Sequence, residues 1–184
     1  MALGLGSCIG LAVIDRAAGV AGMAHVVLPE SGGAADQPGK FADTAVPELV
    51  AQLQRSGAVA RRLEAVLAGG AGMFQSSGGL DIGARNERAV RDALAAVKIP
   101  VRAARTGGAQ GRTLKVTVWD CEVTMRVAGA QPETLIAGAP SDGAAKAESP
   151  LAASALKLAQ AASKLAAERS GSLAGLALGG GGRL

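Results

Sequence analysis

Two residues of this chain stand out for chemistry: Cys8, within the glycine-rich stretch "LGLGSCIG", and His25, its one histidine. A thiol beside an imidazole is the smallest set for nucleophilic acyl transfer. A free thiol has a pKa of about 8.5, so little of it is thiolate at neutral pH. A neighbouring imidazolium lowers that value, and the imidazole can then pass a proton to a leaving group. Glycines around the cysteine would let a substrate backbone come close and leave amides free to bond an oxyanion. Taken singly, neither residue demands this role. A lone histidine on a strand is usually structural, and a cysteine in apolar surroundings packs as a small core residue.

Their spacing brings them together. Residues 9–14, "IGLAVI", form an apolar run that reads as a buried strand, and residues 20–28 read as a second, with a turn over 15–19. Antiparallel pairing centred near residues 16 and 17 sets Cys8 directly opposite His25. Directly opposed residues share a sheet face with Cβ atoms ~5 Å apart, within reach of a thiol–imidazole hydrogen bond.

The rest of the chain supplies a scaffold. Residues 29–39 read as a surface loop. Phe41, Ala45, Val46, Leu49, Val50 and Leu53 fall at helical spacing, with Gly57 just past the end and Pro47 marking either a start or a bend. Asp43 and Thr44 suit a helix start or a substrate loop. Residues 63–68 read as a buried strand running into "GGAGMF". That segment lacks the Lys-Ser/Thr of a phosphate-binding loop, so a strand-end turn is expected there rather than a nucleotide site. A second helix over 84–97 puts Val90, Leu94 and Val97 on one face, with Arg85 and Asn86 at its start. Strands follow at 101–104, 114–119 and 123–127, the last two joined as a hairpin through Asp120. Mixed strands and helices without strict alternation predict a layered α/β domain over residues 1–128.

From Gly129 onward Ala, Gly, Ser and Pro dominate and strand patterning stops. In this tail, 129–184, Ser149 and Pro150 look like a helix start. Leu151, Leu158 and Leu165 recur every seven residues, so an amphipathic helix over 150–169 and a disordered extension are both open.

Composition narrows the function classes. The formal net charge is +4, but Lys and Arg are scattered and only three residues are aromatic. No basic helix or stacking platform results, so nucleic acid is not an expected partner. No run of eighteen apolar residues and no basic leader occurs, which predicts no membrane insertion and a cytoplasmic protein with reduced cysteines. Cys121, between Asp120 and Glu122, has no base nearby and reads as inert. No His/Cys/Asp cluster calls for a metal, and no cofactor is expected.

The segments "LGLGSCIGLAVID", "GMAHVVLP", "KFADTAVPEL", "GGAGMF", "IGARN" and "TGGAQGR" occur in that order over residues 3–128. In that order they resemble the chemoreceptor glutamine deamidase family, CheD. The resemblance implies hydrolysis of selected glutamine side-chain amides in the cytoplasmic helices of chemoreceptors. Some members also hydrolyse glutamyl methyl esters. It implies Cys8 as nucleophile and His25 as catalytic histidine. The implied fold has mixed β-sheets with helices packed on one side, as in toxin-type cysteine deamidases. The implied partners are receptor helices and, for many members, the phosphatase CheC. Two positions depart from the family pattern. The Thr that assists the histidine, six residues before the nucleophile, is Ala2 here, and the Asp before Thr-Gly-Gly is Arg105. A start short of the family's usual N-terminal strand is also expected. An unoriented histidine is a weaker base. A non-catalytic chemotaxis adaptor that binds the receptor or CheC therefore stands as the alternative.

Overall fold

The computed structural model describes residues 1–33, 36–72 and 81–138. Every residue of strand β2 (Ile9–Asp15) is buried, which requires cover on both faces and both edges. The edges are covered by β3 (Val20–Val26) and β4 (Glu64–Gly69), both antiparallel to β2. A parallel strand, β5 (Val101–Thr106), completes the first sheet in the order β3-β2-β4-β5.

The faces follow from strand alternation. Ile9, Leu11 and Val13 point into one core with helices α1 (Ala42–Arg55) and α2 (Ile82–Ala96), where they meet Val46, Leu49, Leu53, Val90 and Leu94. Ala12 and Ile14 point the other way, into a second core shared with Leu5, Leu114, Val123 and Met125. That core lies against a second sheet of order β1-β6-β7-β8. Its strands are β1 (Ala2–Leu5), β6 (Arg112–Thr117), β7 (Glu122–Val127) and β8 (Glu133–Ile136). The architecture is α/β, two sheets with helices on one side, as expected.

Local chemistry explains the element ends. The helix α1 starts at Ala42, so Pro47 falls in its second turn and only the Asp43 carbonyl loses its intrahelical donor. The Asp81 carboxylate accepts from the Ala84 N–H at 3.1 Å and caps α2. Asp43 accepts from the Ser31 amide and hydroxyl, and the Thr44 hydroxyl donates to the Pro38 carbonyl at 2.7 Å. Both residues thus pin the loop before α1. At the far end of β2, fully buried Asp15 accepts from the Val59 N–H at 2.8 Å, the Ala18 N–H at 3.2 Å and the Arg62 guanidinium at 2.8 Å. Burial pushes the Asp15 carboxyl up, but the bonds from Arg62, Val59 and Ala18 and the Arg62 charge outweigh it and hold the group below its ordinary value.

Two strands form where the amino-acid pattern predicts none. The first, β1, is short, and Gly4 sits in it at φ +63° beside a register shift against β6, a bulge that hides the alternation. The second, β8, follows Pro132 in the Ala/Gly-rich stretch and pairs with β7. Arg105, one of the two departures from the family pattern, forms an ion pair with Glu133 and so links β5 to β8. The β6–β7 hairpin turns through Asp120 as expected, with Val118 and Trp119 exposed at its tip. The tail helix expected over 150–169, and Met73 and Phe74, lie outside the described residues. Among the described residues, no helix is long and apolar enough to cross a membrane.

Candidate active site

The β2–β3 ladder runs from Ile9↔Val26 to Asp15↔Val20, with Arg16–Gly19 as the turn. His25 is therefore opposite Gly10, and the expected direct pairing with Cys8 does not occur. The turn closes one residue pair wider than the alternation suggested, which slides the register by two. A slip of two keeps the sheet face, whereas a slip of one would have reversed it. His25 accordingly lies on the same side as Ala21 and Met23, and Cys8 packs against that same second core. In a regular ladder such diagonal neighbours are roughly 7–8 Å apart. No Cys8–His25 hydrogen bond forms, and the exposed imidazole makes no side-chain hydrogen bond to a described residue.

Cys8 itself is held with care. It follows β1 in the loop Gly6–Cys8, and all three loop carbonyls are engaged from below. Gly6 O accepts from the Ala71 N–H at 2.7 Å, Cys8 O from the Gly70 N–H at 2.9 Å, and Ser7 O from Asn86 Nδ2 at 3.0 Å. The amides of Ser7 and Cys8 donate to no other described residue, the Cys8 amide lying against its own thiol. Such an arrangement leaves N–H groups available for a negatively charged oxygen. Over the bare Cα of Gly10, opposite His25, the Leu5 side chain fills the vacancy: a Cβ there would be 2.6 Å from Leu5 Cδ1.

The thiol is half-buried and free, and Cys121 is a buried free thiol elsewhere. Burial pushes the Cys8 thiol above its ordinary pKa, and the residue's own backbone amide offsets part of that rise. Catalytic hydrogen bonds are often long without substrate and tighten in the complex.

A cleft of about 450 Å³ opens beside His25, lined by Met1, Ala2, Leu3, Met23, Ala24 and His25. Ala2, which stands where the family pattern has Thr, thus shares a cleft with the histidine. The expectation for Asn86 needs revision. Rather than merely starting α2, its fully buried side chain reaches back to Ser7 O and, at 2.9 Å, to Val27 O. Its position on the buried stripe with Val90 and Leu94 is the signal that was available, since a polar residue there must be satisfied from elsewhere in the fold.

The model of a family described as CheD chemotactic sensory transduction matches residues 27–127. A chemoreceptor glutamine deamidase CheD of Thermotoga maritima is 47% identical over 127 residues, spanning 69% of this chain and 80% of the relative. This chain belongs to the CheD family. A probable chemoreceptor glutamine deamidase CheD of Clostridium novyi is 42% identical over 132 residues, covering 69% of this chain and 82% of its own length. A CheD relative of the same printed name from Methanococcus vannielii is 42% identical over 124 residues. The match to the CheD model begins two residues after His25.

Proposed function

We propose that this chain deamidates glutamine side chains of chemoreceptors, with Cys8 as nucleophile and His25 as acid and base. Its relatives carry the name chemoreceptor glutamine deamidase. The observation that carries the mechanism is the Cys8 loop. Its carbonyls are tied down beneath it while the Ser7 and Cys8 amides donate to no other described residue, on the sheet face that also bears His25.

The steps follow from those groups. His25 takes the Cys8 proton as sulfur attacks the amide carbon. The resulting oxyanion accepts from the Ser7 and Cys8 amides. Collapse breaks the C–N bond, and ammonia leaves with the proton from His25. The thioester is then cleaved by water, whose proton His25 removes, giving glutamate and the free thiol. Receptor cytoplasmic helices are the macromolecular substrate in this proposal, and the phosphatase CheC is a further partner.

The test is mass spectrometry of a purified receptor cytoplasmic fragment incubated with the chain or its Cys8→Ala variant. Replacing an amide by an acid adds ~1 Da per site, expected with the parent alone. Equal deamidation by Cys8→Ala would sink the mechanism. Ala2 beside His25 favours a second reading, because it offers no hydrogen bond to orient the imidazole. No mass change with the parent, together with retained receptor or CheC binding, would point to that non-catalytic adaptor.

A further inference from the structure

We propose that Asn86 is a positioning residue for this reaction: its side-chain amide ties the nucleophile loop to the strand bearing His25 and so sets their separation. The inference rests on the Cys8–His25 reading above. Nδ2 of Asn86 donates to Ser7 O at 3.0 Å and to Val27 O at 2.9 Å. Ser7 directly precedes Cys8, and Val27 lies two residues beyond His25. The backbone ladder between β2 and β3 ends at Ile9↔Val26. Past that pair, the two segments have no strand pairing with each other, and Asn86 bridges the gap.

The bridge is rigid for two reasons. Asn86 is wholly buried. Its amide orientation is fixed, because only the NH₂ end can serve two carbonyl oxygens. Oδ1 has no partner among the described residues, so the two Nδ2 bonds are the polar contacts seen for this side chain. The helix holds the loop at a second point as well. Gly83, one turn earlier in α2, lies so close to Gly70 that a Cβ there would be 2.4 Å from Gly70 O. Gly70 in turn donates its N–H to Cys8 O. Helix α2 is therefore the base plate against which Cys8 and His25 are set.

The experiment measures alkylation of Cys8 by iodoacetamide, followed by peptide mass spectrometry, in the parent, His25→Ala, Asn86→Ala and the double variant. Receptor-fragment deamidation is measured in parallel, and far-UV circular dichroism monitors the fold. Asn86→Ala is expected to change the Cys8 alkylation rate by shifting its loop and to lower kcat by about tenfold or more with KM little changed, as misplacement of a reacting group does. The double variant should be no slower than the slower single one, since both act through one interaction. If Asn86→Ala does not fold, Asn86→Ser, whose hydroxyl can serve only one of the two carbonyls, replaces it. Effects of Asn86 and His25 that multiply, or a lowered Tm with Cys8 reactivity intact, would overturn the proposal. Should His25→Ala leave receptor-fragment deamidation unchanged in the parent background, the Cys8–His25 reading itself falls instead.

Discussion

A Cβ placed on Gly69 would stand 2.1 Å from the carbonyl oxygen of Cys8. The end of β4 and the Cys8 loop are thus in backbone contact, and Gly69 also adopts φ +111°, which side-chain-bearing residues rarely do. Gly69→Ala should therefore displace the Cys8 loop and destabilise the fold by roughly 2 kcal/mol or more. Urea unfolding and the Cys8 alkylation rate check it. Unchanged values in both would mean that the loop and β4 part easily.

The two cysteines should differ in reactivity. Cys121 is 1% exposed, whereas Cys8 is half-buried at the protein surface. Iodoacetamide is expected to label Cys8 first. Thiolate is the reacting form, and burial raises the Cys8 pKa. The rate in the free protein should therefore climb with pH to a midpoint above that of an ordinary thiol. A midpoint below the ordinary value would show a resting thiolate–imidazolium pair.

Ala2 shares the cleft with His25. Ala2→Thr restores the hydroxyl of the family pattern in the cleft that His25 lines, and a β-branched residue suits strand β1. An oriented base is a stronger one, so kcat for receptor deamidation should rise about tenfold, while the larger side chain at this buried position lowers Tm. Steady-state kinetics decide it, and a fall in kcat would mean that the cleft needs the smaller residue.

Acid stability should depend on Asp15. Its folded-state pKa lies below the ordinary carboxylate value. Its contribution is therefore complete above the unfolded pKa of about 3.9 and disappears as pH falls through the lower folded value. Asp15→Ala leaves Arg62 and the Val59 amide without their partner and should cost about 3 kcal/mol at neutral pH. The variant's Tm should also fall less steeply between pH 5 and 2 than the parent's, as calorimetry would record.

Apolar runs made the β2–β3 hairpin, both helices and the β6–β7 hairpin legible from sequence, because each buries a continuous face. The site was only half legible. The parity of the β2–β3 pairing was right, so Cys8 and His25 were assigned to one face. Their direct opposition was wrong because the closing pair is Asp15↔Val20. Local residues cannot decide between turns that differ by two when both keep the apolar faces inside. Asn86 was legible only as a helix residue, since its acceptors are 79 and 59 residues away along the chain. The strands β1 and β8 were masked, one by a glycine bulge and one by the Ala/Gly background around it.

The chain has one tryptophan and no tyrosine, and that tryptophan, Trp119, is 85% exposed at the β6–β7 tip. Its emission is then already that of an indole in water while the protein is folded. Intrinsic fluorescence will barely register melting of the two cores. The same indole is a native, site-specific probe for anything that settles on the hairpin tip, reported as a blue shift or as protection from an aqueous quencher.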